Sequence, residues 1–129
     1  MGLSTFDERA VYSVARLVVP ADGTSLLPLV PAQTTDIRID SILIGNRDGI
    51  SHTVSLLATI GGVVAKVGSL VIPAGQGTNG TPCLDLMAGV LPAAQVGWTL
   101  KPGDLLGVQL SVAVAATFDV PIQALGGTF

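Results

Sequence analysis

The sequence predicts an all-β domain, an antiparallel β-sandwich or jelly-roll-like fold of about seven to eight strands. Three observations carry that prediction. Sixteen glycines and eight prolines cut the 129 residues into short apolar runs. Those runs are rich in β-branched residues, and several alternate at period two. No apolar stripe of 3.6-residue period and any length runs through them.

The elements follow in order. Residues 1–10 read as an N-terminal arm, in which Ser4 and Glu8 suit one capped helical turn, and residues 11–129 as a single sandwich domain. Val11 to Val19 is a strand. Pro20 to Pro31, with turn residues but no periodic pattern, is expected as a loop. Ile37 and Ile39 alternate with Arg38 and Asp40; Ser41 then interrupts, and Ile42 and Ile44 resume on the opposite parity. One inserted residue causes such a switch, so Thr35 to Gly45 is expected as one bulged strand. Asn46, Arg47, Asp48 and Gly49 form a turn, with Thr53 to Ile60 as the hairpin partner. Gly61 and Gly62 turn the chain into Val63 to Ile72, which stops at Pro73; Ala74 to Pro82 is a second loop and Leu84 to Met87 a short strand. Lys101, Pro102, Gly103 and Asp104 spell another turn. It launches the longest alternation, in which Leu106, Val108, Leu110, Val112 and Val114 share the core face. Phe118, Val120 and Ile122 make a last strand, placed at an edge or bulge because Pro121 has no N–H to give a ladder.

Composition narrows the function. Charged residues make up 12% of the chain and hydrophobic ones 49%, with a mean hydropathy of +0.68, against roughly 25% charged in ordinary globular domains. A folded monomer of this mass exposes about 6,300 Å², or roughly 420 Å² per charge. So sparse a charge pattern predicts a surface that is covered by other proteins. No run approaches the roughly 18 apolar residues of a membrane span, and Met1 to Glu8 has no signal-peptide pattern. Neither a membrane partner nor secretory export is expected. A net charge of −3 with six scattered cations offers no face for nucleic acid. Cys83 is the lone cysteine, so stability must come from packing and assembly.

Each pattern with chemical potential has a plainer reading. Gly75, Gly77 and Gly80 match the dinucleotide fingerprint G-x-G-x-x-G, but no helix opens at the third glycine, so a flexible hairpin loop is expected instead. Asn79, Gly80 and Thr81 form a glycosylation acceptor that matters only in a secretory compartment. His52, the only histidine, would have to anchor any catalytic triad; beside a turn and with no nucleophile signature, it reads as a solvated or interface residue. Asp36, Asp40 and Asp48 are the turn carboxylates from which a calcium site could be built. Arg38 and Asp40 share a strand face and suit an ion pair. Five aromatics, Phe6, Tyr12, Trp98, Phe118 and Phe129, are too few for a stacking platform. No catalytic residue, metal or cofactor is therefore assigned.

Four segments carry a resemblance: TDIRIDSILIGN (Thr35 to Asn46), TVSLLATI (Thr53 to Ile60), LVIPAGQ (Leu70 to Gln76) and LKPGDLLGV (Leu100 to Val108). In these patterns, over Thr35 to Leu125, the chain resembles the small β-sandwich structural proteins of tailed bacteriophage virions. The resemblance implies a virion location and a decoration or cement subunit of the capsid, or else a neck, tail or fibre component. Its expected partners are further copies of itself, as a homotrimer, and the major capsid protein or another virion protein. A carbohydrate-binding adhesive module is the alternative from another class. Candidate contact residues are Leu3 and Phe6 in the arm, Leu26, Leu27 and Leu29 in the Pro-rich loop, and Trp98. The arm and that loop are expected to be ordered chiefly by neighbouring chains.

Overall fold

One antiparallel ribbon of strands, doubled back on itself, forms two sheets that pack face to face. The computed structural model describes residues 11–78, 80–91 and 97–128. Its strands are β1 (Val11–Val18), β2 (Leu27–Val30), β3 (Ile37–Ile44), β4 (His52–Ile60), β5 (Val63–Ile72), β6 (Leu84–Asp85), β7 (Trp98–Leu100), β8 (Leu105–Leu110) and β9 (Val120–Thr128). The first sheet runs β1-β9-β3, with β6 and β7 both against the far side of β3, and the second runs β2-β8-β4-β5. All neighbours are antiparallel. β6 meets Leu43 and Ile44, and β7 meets Ile37 to Ile39, so the two are halves of one strand. Counted that way the described residues form eight strands, paired first with last inward to the β4–β5 hairpin, which is the double Greek key of a jelly roll.

The split in that strand has a local cause. Asp85 caps a five-residue helix α1 (Leu86–Val90), accepting from the Met87 and Ala88 N–H groups, and the same carboxylate accepts from the Ile42 N–H of β3. Leu86 and Met87 thereby enter the core, where a continued strand was expected.

The core is the inner face of both sheets. Ile37, Ile39, Ile42 and Ile44 from β3 and Val120, Ile122 and Ala124 from β9 face Val54, Leu56 and Ala58 from β4 and Leu106, Val108 and Leu110 from β8. The parity switch in β3 is a bulge: the β9 register slips between Ile39 and Ser41, leaving Asp40 as the extra residue. Gly61 and Gly62, at φ 57° and 83°, make the two-residue hairpin turn that those angles favour.

Five expectations are corrected. β3 and β4 are in different sheets, so Asn46 to Gly49 is a crossover and not a hairpin turn. The loop at Gly75 to Gly80 likewise passes from β5 to β6 in the other sheet, and is no hairpin. β8 ends at Leu110: Val112 is 53% exposed, and Val114 returns to the core from a loop. β9 lies inside its sheet, yet holds Pro121. Pro121 accepts through its carbonyl from Gly45 N–H, on the β3 side, so its missing N–H leaves the ladder with β1 intact. Finally, Pro20 to Pro31 contains a 3₁₀ turn (Pro20–Asp22) and β2. Leu27 and Leu29 are buried in the chain's own core, at 7% and 2% exposure, and so are not available to a neighbour.

Candidate protein interface

Two places concentrate features that packing alone does not require. The first is a buried polar cluster at the end of the sandwich where β3 crosses to β4. Asn46 donates through Nδ2 to the carbonyls of Ile50 and Ile72, at 2.8 and 3.0 Å, and accepts from Asp48 N–H at 3.0 Å. Asp48 accepts from Gly49 N–H at 2.6 Å and from Ala115 N–H at 2.9 Å, and lies 2.8 Å from His52 Nε2. The Ala115 N–H, the His52 ring and the Gly49 N–H together hold the Asp48 carboxyl below its ordinary range.

His52 is 1% exposed, which corrects its reading as a solvated or interface residue. Strand parity carries the signal: His52, Val54, Leu56 and Ala58 alternate on one face, so the histidine begins the buried row. Its Nδ1 is shielded and unpartnered, and its Nε2 is engaged by Asp48, so neither nitrogen faces solvent. As arranged, the dyad locks loops together. The three calcium candidates are apart: Asp36 pairs with Lys101, Asp40 with Arg38, and Asp48 with His52. No group of three metal-ligating side chains occurs among the described residues, and no helix of the described residues is long and apolar enough to cross a membrane.

The second place is the outer face of the β2-β8-β4-β5 sheet. β4 contributes Thr53, Ser55, Leu57 and Thr59, set by register against Val71, Ser69, Lys66 and Val64 of β5 and, from Ser55 onward, Gln109, Gly107 and Leu105 of β8. Lys66 is the sole charged residue in that array. Val64 and Val71 are 52% and 57% exposed. Leu26, Pro28, Leu57, Thr59, Leu105 and Gly107 line an apolar hollow of about 150 Å³, the size of one large side chain.

Of the described contact residues expected from sequence, Leu26 alone stands at this hollow. Trp98 is half-buried and packs on the core. Leu3 and Phe6, the capped turn at Ser4 to Ala10 and the acceptor Asn79 lie outside the described residues. Sequence reasoning missed the face because its residues come from four strands; the signal was the polar-facing parity of β4, where Leu57 interrupts Thr53, Ser55 and Thr59. The sequence matches no protein-family model and no curated protein.

Proposed function

We propose that this chain is a virion structural subunit, a capsid decoration or cement protein that reinforces the shell through protein–protein contacts. The observation that carries the reading is the outer face of the β2-β8-β4-β5 sheet, which sets exposed valines and an apolar hollow among hydroxyl residues and one charge. Such a face costs about 25 cal/mol per Å² of apolar area left in water and is stabilised by being covered. The four segments of the phage-protein resemblance fall on β3, β4, the end of β5 and the β7–β8 turn, so they are the framework of that sheet and its neighbour. Jelly rolls serve many unrelated functions, and the face, not the fold, supports this one.

The test is a particle assembled without the chain. Faster loss of DNA on heating or osmotic shock than in complete particles, restored by adding the protein, is the expected result. Equal resistance with and without the chain defeats the reading. A variant with Leu57→Lys and Leu105→Lys should fold normally and fail to restore resistance. Copy number completes the test: copies spread over the shell support decoration, whereas a few at one vertex would make the chain a neck or tail component.

A further inference from the structure

The two sheets have four edges, and three of them are blunted. β2 has four residues, includes Pro28 and is irregular in register. β5 carries a bulge at Val67 beside Lys66. The edge made by β6 and β7 is split by α1. Short strands, proline, bulges and lysine are the devices by which sheets avoid pairing with foreign strands. β1 has none of these; its one charge, Arg16, is paired within the chain with Asp22. It is eight residues long, pairs with β9 in unbroken register, and has no strand on its other side among the described residues.

The direction of its main-chain groups follows from Pro121. The Gly45 N–H to Pro121 carbonyl bond points the odd residues of β9 toward β3, so its even residues serve β1. Tyr12, Val14, Arg16 and Val18, opposite Gly126, Ala124, Ile122 and Val120, therefore bond to β9. The N–H and C=O groups of Val11, Ser13, Ala15 and Leu17 point outward.

We propose that β1 is a dimerisation edge, on which a second copy of the same strand pairs antiparallel about a two-fold axis through Val14. The register is argued from self-complementarity. Centred on Val14, the four outward residues pair Val11 with Leu17 and Ser13 with Ala15 of the other copy, and every outward N–H and C=O finds a partner. Centring on Ala15 strands Val11 against Val19, beyond the strand. The Val14 register also brings together Val11 and Leu17, 86% and 47% exposed in the single chain. It sets Tyr12 across from Arg16, a part-buried guanidinium held by Asp22 at 3.5 Å, as a cation and an aromatic ring on the same sheet face. Only a copy of this strand offers that match twice. The resulting sheet, eight strands across with β6 and β7 counted as one, has two-fold symmetry, distinct from the expected trimer, and holds whether or not the chain belongs to a virion.

The experiment uses the full chain with Cys83→Ser, a Val14→Cys substitution, and oxidation in dilute solution. A non-hydrogen-bonded antiparallel pair, as Val14 would make with its copy, has Cα atoms about 4.5 Å apart, within the range of a disulfide. The expected result is a covalent dimer for Val14→Cys and little for Ser13→Cys, whose counterpart is Ala15. Sedimentation should show a dimer for the unmodified chain. Ala15→Pro removes only an outward N–H, and should raise the dimer dissociation constant at least tenfold with the melting temperature nearly unchanged. A monomeric or trimeric unmodified chain, equal cross-linking at positions 13 and 14, or an Ala15→Pro chain that is folded and still dimeric each overturns the proposal. Should Ala15→Pro fail to fold, the cross-linking pair decides alone.

Discussion

Gly126→Ala should be among the most damaging single-methyl additions to this chain. Gly126 lies on β9 opposite Ile39, where β3 bulges at Asp40. A Cβ built there would stand 1.8 Å from the Arg38 carbonyl oxygen and 2.8 Å from its carbon. Carbon and oxygen tolerate about 3.3 Å, so main chain must retreat by roughly 1.5 Å on a strand bonded on both sides. Overpacking of rigid cores costs about 1–3 kcal/mol, and the fixed bulge argues for the upper end. At about 3–4 °C per kcal/mol for a chain of this size, the melting temperature should drop by about 10 °C. Gly49→Ala is the control, because its Cβ would meet no atom within 4 Å and Gly49 is not at positive φ; it should melt within a few degrees of the parent. Thermal unfolding by circular dichroism, with urea midpoints at unchanged slope, reads both variants. A Gly126→Ala protein as stable as Gly49→Ala would show that β3 and β9 do not approach so closely.

Three further outcomes are expected. Leu110→Asp should yield no soluble folded protein, because it buries a carboxylate without a partner, whereas Val112→Asp, two residues on and half-exposed, should stay within about 0.5 kcal/mol of the parent; equal behaviour in a solubility and melting assay would place the end of β8 wrongly. Thr117 holds φ 70°, a conformation β-branched residues resist, so Thr117→Gly should raise the melting temperature by about 3 °C through relief of about 1 kcal/mol, and a fall would refute the strain. Asp48 binds its proton less tightly folded than at its ordinary value of 3.8, so its ionised form adds stability above about pH 3.8 that is lost as pH falls through the lower folded value; Asp48→Asn should be less stable at pH 7 and lose less on acidification, and parallel pH profiles would count against it.

Legibility varied with how local the cause was. The Asp40 bulge was written in the parity switch from Ile39 to Ile42, and the β4–β5 hairpin in Gly61 and Gly62, because both are set by neighbours in sequence. The partner of β3 was not legible. A four-residue turn between apolar strands normally makes a hairpin, but Asn46 and Asp48 turn inward to bond Ile50, Ile72 and Ala115, and the last two come from distant segments. β2 escaped notice because Leu27, Pro28, Leu29 and Val30 show no alternation: its irregular pairing buries three of the four. The outer face of the second sheet needed the strand order before its residues could be placed together.

The polar residues also explain which surfaces remain free. At the end where β3 crosses to β4, the crossover after β3, the loop after β5 and the loop after β8 bond one another: Asn46 N–H to Gln76, Arg47 N–H and side chain to Asp119, and Asp48 to Ala115. At the other end, Gly103 N–H bonds Gln33, Lys101 pairs with Asp36, and Gly61 N–H bonds Asp104. A jelly roll that bound ligands through its loops would hold such groups outward and unpaired. Here many of the few polar side chains are spent on joining loops, and an unsatisfied buried partner costs about 1–3 kcal/mol, so recruiting those groups for a ligand would loosen the fold. Among the described residues, two surfaces are not drawn into this loop bonding: the apolar hollow around Leu57 and Leu105 and the outward row of β1. Both offer apolar side chains or repeating main-chain groups, which suit another protein surface.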